Sequence, residues 1–185
     1  MTLMLEREVK LRFASPDEAR AAILGTGATA LRCRRLQEDA LLDTEDESLR
    51  RRGCALRIRT ESGKSLLTFK GPVLPGSMKV RDEYETVVGD GAVLQHVLEE
   101  LGLHVWFRYE KYREEYAAED VTIALDETPV GTFVEIEGGE QGILTMTGLL
   151  GRSASDFILD SYRNLFVQHR HASGSTGVNM VFTEE

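Results

Sequence analysis

The chain has only two cysteines, Cys33 and Cys54, far apart and with no further pair at metal-binding spacing. That excludes a disulfide framework and a structural zinc site, and leaves both as packing residues. Long apolar runs are also missing. None approaches the roughly 20 residues that span a bilayer, and the first residues lack a signal-peptide core, so no membrane partner is expected and the chain is placed in the cytoplasm. Basic charge is in deficit, with 22 Lys and Arg against 31 Asp and Glu and a net charge of -9. A general nucleic-acid binder needs the opposite balance, so nucleic acid is not expected as a partner. A small phosphate ligand is not excluded, because local bases can hold one in an acidic protein, particularly if neighbouring acids hold divalent cations. There is no fixed-period repeat and no low-complexity tract.

What is there is an ordinary globular composition, 42% hydrophobic and 29% charged over 185 residues. One sizeable core follows, with a single domain expected over residues 1–170 and a flexible polar tail over residues 171–185. The informative pattern begins in residues 3–13, LMLEREVKLRF. Read with period two, one face carries Leu3, Leu5, Val9, Leu11 and Phe13, and the other Met4, Glu6, Glu8, Lys10 and Arg12. The polar face is ionic, and the habit recurs. Arg57 and Arg59 share a face, then Leu66, Thr68 and Lys70, then Lys79, Arg81, Glu83 and Glu85. Later come Tyr109, Lys111, Arg113 and Glu115, then Thr122, Ala124 and Asp126, then Phe133, Glu135 and Glu137. A weaker strand over residues 31–43 aligns Gln37, Asp39, Leu41 and Asp43.

Helix signals interrupt these strands. Ser15, Pro16 and Glu18 read as a capped start to a helix ended by Gly25 or Gly27, and residues 90–101 carry an apolar stripe of Val93, Leu94, Val97, Leu98 and Leu101 that should cover a sheet. Residues 142–151 read as a helix, and ASDFILDSYRNLFVQHR as a last one capped near Ser153 or Ser155. His96, His104, His169 and His171 read as surface or packing residues, Trp106 and Phe107 as packing, and Arg50 to Arg52 as a solvated turn.

Strands joined mostly by turns, with a few helices, indicate an antiparallel α+β protein whose sheet curls towards closure. The apolar faces and helix stripes must bury one another, which turns the ionic faces into the barrel. Burying so many ions unpaired costs several kcal/mol each, so the barrel is wet, ion-filled or both. Converging carboxylates make an oxygen-rich site for Mg²⁺ or Mn²⁺, and Arg and Lys hold phosphate oxygens. The matching ligand is a polyphosphate.

The ordered series resembles the CYTH domain of the triphosphate tunnel metalloenzymes. Its Glu-x-Glu-x-Lys signature stands as Glu6, Glu8 and Lys10, followed by Leu56-Arg57-Ile58-Arg59, Thr68-Phe69-Lys70-Gly71, Arg81-x-Glu83-x-Glu85, Lys111-x-Arg113, Asp126, Gly131-x-Phe133-x-Glu135-x-Glu137 and Ser161-Tyr162. The match covers about residues 3–167. It implies an eight-stranded antiparallel β-barrel tunnel with helices outside, acting on a triphosphate-containing small molecule with Mg²⁺ or Mn²⁺. Carried over, Glu6, Glu8, Glu83, Glu85, Asp126, Glu135 and Glu137 form the metal side. Lys10, Arg57, Arg59, Lys70, Arg81, Lys111 and Arg113 bind the substrate, and Glu6, Glu8 and Lys10 form the catalytic centre. Asp39-Ala40-Leu41 departs from the family's frequent Asp-x-Tyr, and Asp39 and Arg12 stay outside the expected site. The first functional reading is hydrolysis of the terminal phosphate of inorganic triphosphate, thiamine triphosphate or a nucleoside triphosphate. The class IV adenylate cyclase reaction, ATP to cyclic AMP and pyrophosphate, is the alternative, and a non-catalytic polyphosphate-binding module is the third. Homodimerisation stays open.

Overall fold

Period-two alternation in the first strand sets the architecture, because it gives the sheet one face that must be dry and one that must be wet. In the computed structural model of the chain, which describes residues 4–182, β1 (Met4–Phe13) is followed by α1 (Pro16–Gly25), β2 (Thr29–Thr44), α2 (Ser48–Arg51), β3 (Ala55–Glu61), β4 (Lys64–Lys70) and β5 (Lys79–Val88). Then come α3 (Gly91–Glu100), β6 (Leu103–Ala118), β7 (Val121–Thr128), β8 (Gly131–Gly138), α4 (Glu140–Leu149) and α5 (Tyr162–Ser173). The strands close in the order β1-β5-β4-β3-β2-β6-β7-β8, and β8 returns to β1, all antiparallel. Closure leaves no edge to protect except along β6 before Tyr112.

The dry face lies outside. Val9 and Leu11 of β1, Ile123 and Leu125 of β7, and Val134 and Ile136 of β8 are buried against Ala19 and Ile23 of α1 and Ile143 and Met146 of α4. Each such aliphatic contributes roughly 1.5–3 kcal/mol when fully buried. Ser15 caps α1 as expected, its Oγ accepting from the Glu18 amide, while the Glu18 carboxylate accepts from Ala14 N.

Four expectations change. The stripe of α3 is only half seated: Val93, Val97 and Leu101 are 60%, 50% and 72% exposed. What docks α3 is its first residue, Gly91, where a Cβ would lie 2.4 Å from Ser65 Oγ, so the helix start sits directly on β4. The last helix begins at Tyr162, not near Ser153 or Ser155. Ser153 instead caps a single 3₁₀ turn, Ala154–Asp156, and residues 157–160 run extended, with Ile158 N donating to Lys10 O. Ser161, whose Oγ accepts from Asn164 N, is the true cap of α5. Cys33 is exposed and only Cys54 is packed.

The fourth change concerns the tail. β6 pairs with β2 along nearly its whole length but with β7 only from Tyr112 onwards, so its upper half lacks a neighbour on one side. Residues expected to be loose fill that gap. Met180 N donates to Arg108 O and Met180 O accepts from Glu110 N, at 3.0 and 2.8 Å, and the Met180 side chain is fully buried against a cluster containing Phe107, Tyr109, Phe133, Tyr162 and Phe166.

Candidate active site

Inside the barrel runs a cavity of about 870 Å³. All the predicted site residues line it except Asp126, which shares the inward face of its partner Arg113 but is covered by Lys111, Arg113 and Tyr162. Their faces are those read from alternation, and strand register decides which of them meet.

β1, β5 and β8 bring acids together on one wall. Glu8 stands directly across from Glu137 on β8 and Lys79 on β5, and Glu6 across from Arg81. Lys70 Nζ bridges Glu6 and Glu83 at 2.7 and 2.8 Å, Arg81 Nε reaches Glu6 at 3.0 Å, and Lys79 Nζ reaches Glu8 at 2.6 Å. Glu137 has no ion-pair partner among the described residues. Its side chain is exposed to the lumen, and desolvation inside the tunnel together with Glu6, Glu8 and Glu83 pushes its pKa up to about 7. Burial and Glu8 also raise Glu6, against the pull of Lys70 and Arg81. For Glu8 the balance is reversed. Burial alone would raise it, but Lys79, with Lys10 and Lys70, holds it well below the usual carboxylate range. Among the described residues no three acids already converge at metal-ligand distance. The donor chemistry still fits a hard cation: oxygen donors only, in a wet lumen, with one carboxyl that has no cation partner among the described residues.

Across the lumen stand the bases. Arg59 makes a two-pronged contact with Asp39, at 2.8 and 3.2 Å. Arg57 is buried beside Thr68 at 3.1 Å, and its Nε lies 3.4 Å from Asp39 without a well-directed hydrogen bond, a donor left over for a ligand. Glu85 accepts from Thr68 at 2.8 Å, which sets it against Arg57 and apart from the acid wall.

Asp126 is fully buried, accepting from Arg113 Nε at 2.7 Å, Lys111 Nζ at 2.9 Å and the Tyr162 hydroxyl at 2.6 Å. Glu135 pairs with Lys10 at 2.8 Å and also with Arg113. Both acids, expected on the metal side, are thus already occupied in holding cations. Burial and Arg113 push Lys111 down to about 8, opposed by Asp126 and Glu135.

Three roles escaped the sequence reading, although Tyr162 stood in the motif series. Asp39 belongs inside, as register opposite Arg59 requires. Tyr162 reaches in from α5, with the Lys10 and Lys111 ammonium groups 4.8 and 4.9 Å from its ring centroid, a cation–π arrangement that only the docked helix creates. At the lower mouth Arg35 bridges Glu61 and Glu115, each at 2.9 Å. Arg12, left open before, sits at the rim over the Phe133 ring.

A closed eight-stranded barrel with acids on one wall and bases across from them is the architecture of the triphosphate tunnel proteins. This chain belongs to the CYTH domain family, whose model matches residues 4–142. A protein of Methanocaldococcus jannaschii, named as a candidate adenylate cyclase, is 29% identical over 72% of this chain and 77% of its own length. Two solved structures share the fold. One, a candidate adenylate cyclase of Vibrio parahaemolyticus, superposes with a TM-score of 0.77 at 20% identity, over 90% of this chain and 99% of that one. The other, a candidate adenylyl cyclase of Hippeastrum described as having a dominant triphosphatase activity, has a TM-score of 0.66 at 20% identity, over 90% and 96%.

Proposed function

We propose that the chain is a metal-dependent triphosphatase that hydrolyses the terminal phosphoanhydride of a triphosphate-containing small molecule inside its tunnel. The observation that carries this reading is the unpaired Glu137 beside Glu6 and Glu8, facing a wall of bases across the same lumen. Glu6, Glu8 and Glu137 would hold Mg²⁺ or Mn²⁺, with Glu83 alongside. Bound there, the ion supplies charge neutralisation at the transferred phosphorus and a lowered pKa for the attacking water.

The chain's own residues do the rest. Arg57, Arg59, Lys70, Arg81, Lys111 and Arg113 bind the phosphate oxygens, Arg in a two-pronged fork where geometry allows. Lys10, fixed by Glu135, sits beside the carboxylate wall, placed to bind the phosphate being transferred. Asp126 and Glu135 position Lys111, Arg113 and Lys10, and Asp39 positions Arg59. Water attacks the terminal phosphorus, the bond to the bridging oxygen breaks with its electron pair kept by the departing diphosphate-bearing product, and the phosphoryl group with the water's oxygen leaves as orthophosphate, the water's proton passing to solvent.

The archaeal relative's name favours a second reading, in which the ribose 3′-hydroxyl of ATP attacks the α-phosphorus and pyrophosphate leaves. Fold does not separate the two, since the same tunnel serves both. The test is a product assay on purified protein with ATP, tripolyphosphate and thiamine triphosphate, each with Mg²⁺ or Mn²⁺. Orthophosphate without cyclic AMP supports hydrolysis. Cyclic AMP with stoichiometric pyrophosphate establishes the cyclase, and no product from any substrate leaves a polyphosphate-binding module.

A further inference from the structure

Near the upper mouth of the tunnel the pairing of β2 with β6 slips by one residue. Leu41 faces Phe107 and Leu42 faces Val105, so Trp106 is an extra residue in β6, a β-bulge. In a regular strand its side chain would point away from that of Phe107, out of the barrel; a bulge re-aims it. The indole accordingly lines the same cavity as the phosphate-binding side chains, 5.9 Å from the Phe107 ring. It is the only tryptophan in the chain.

Two cations from separate elements meet it there. The Arg50 guanidinium of α2 lies 4.0 Å from the indole centroid and that of Arg163 in α5 lies 5.9 Å away. Arg50 is balanced by Asp43 at 3.3 Å and Glu47 at 2.7 Å. No carboxylate among the described residues pairs with Arg163, although burial and the nearby Arg170 and Arg50 already disfavour its charge. The mouth therefore offers a stacked Arg50–indole platform and an unpaired, half-buried guanidinium, next to a tunnel lined with phosphate-binding side chains.

On the triphosphate reading, on which this rests, we propose that Trp106, Arg50 and Arg163 form the subsite that selects what is attached to the triphosphate. The group they fit is an uncharged planar heterocycle with hydrogen-bond acceptors, as in a nucleoside triphosphate. Its ring stacks on the Arg50–indole platform and its edge acceptors pair with guanidinium donors. Inorganic tripolyphosphate has nothing to place there. Thiamine triphosphate brings a fixed positive charge on its thiazolium ring, which the unpaired Arg163 repels.

Because the chain has one tryptophan, its fluorescence reports this subsite directly. Tripolyphosphate, ATP and thiamine triphosphate are each titrated in EDTA, which stops turnover, with calorimetry and Trp106 emission read together. ATP should change the emission and tripolyphosphate should not, and thiamine triphosphate should bind more weakly than ATP. In Trp106→Leu and in Arg163→Gln the ratio of ATP to tripolyphosphate affinity should fall roughly tenfold, the scale of one lost stacking or guanidinium contact. Arg163→Gln keeps the indole and alters a half-exposed position, so it decides the matter even if Trp106→Leu fails to fold. An unchanged ratio in Arg163→Gln, thiamine triphosphate binding as tightly as ATP, or a longer linear polyphosphate outcompeting ATP each overturns the subsite. Absence of tripolyphosphate binding to the unaltered protein both in EDTA and again with Mg²⁺ or Mn²⁺ overturns the triphosphate reading instead, and the subsite with it.

Discussion

Exchange of Asp126 for Asn tests whether the acids buried beneath the tunnel's bases are needed to hold them. Asp126 is fully buried, and the Lys111 and Arg113 side chains that donate to it are 3% and 13% exposed. The exchange removes the charge and leaves both cations facing Glu135 alone. Removing one partner of a buried ion pair costs about 3–5 kcal/mol, and Asn, which still accepts a hydrogen bond, should fall near the lower end. For a chain of this size each kcal/mol lowers the melting temperature by about 2–4 °C, so a fall of about 6–12 °C is expected. Urea unfolding should show a lower midpoint with an unchanged slope. The pH dependence fixes the cause. Burial raises the Asp126 pKa, but Arg113 and Lys111 outweigh it and hold the carboxyl below its ordinary value. The contribution is thus complete above the unfolded value of about 3.9 and disappears as pH falls through the lower folded value. The gap between the two proteins should be constant between about pH 5 and 7 and close only below about pH 4. A gap under about 1 kcal/mol at pH 7, or one that closes between pH 5 and 7, refutes the reasoning.

Glu8→Gln should abolish metal-dependent turnover while leaving the circular dichroism spectrum intact; persistent turnover would remove Glu8 from the proposed site. Glu137, with a folded pKa near 7 in metal-free protein, holds a proton in the folded state that the unfolded chain has already lost above about pH 4.3. Its contribution therefore lowers metal-free stability as pH rises from about 4.3 towards 7. Mg²⁺ binding below pH 7 should release that proton, seen as a buffer-dependent heat in calorimetry, and Glu137→Gln should reduce the buffer dependence to at most the share of Glu6, which is also raised; if it is undiminished, the proton lies elsewhere. Met180→Ala should cost about 2–5 kcal/mol in urea unfolding, because the side chain is fully buried. A loss under 1 kcal/mol would show that the seat over β6 contributes little.

The tunnel was legible because alternation is a one-dimensional signal. Glu6, Glu8 and Lys10, or Glu135 and Glu137, share a face whatever the strand pairs with. Asp39 was not, since its importance depends on lying opposite Arg59 in register. The role of Tyr162, though the residue stood in the motif series, and that of Met180 escaped for a related reason: each acts across more than 35 residues of chain, Tyr162 on Asp126 and Met180 on Tyr109. The stripe of α3 misled in the other direction. Helical spacing gathers Val93, Val97 and Leu101 on one side, but which side meets the sheet is decided by the contact of Gly91 with Ser65.

The sequence by itself therefore determined the strands, the two-faced character of each, the sign of every lining charge and the family to which the chain belongs. Tertiary structure alone decided which charges neutralise one another. Glu137 and Arg163 carry the same formal charges as their neighbours, yet among the described residues they have no ion-pair partner, because strand register and helix docking, not residue type, set the distances that separate a paired ion from one free to bind a ligand.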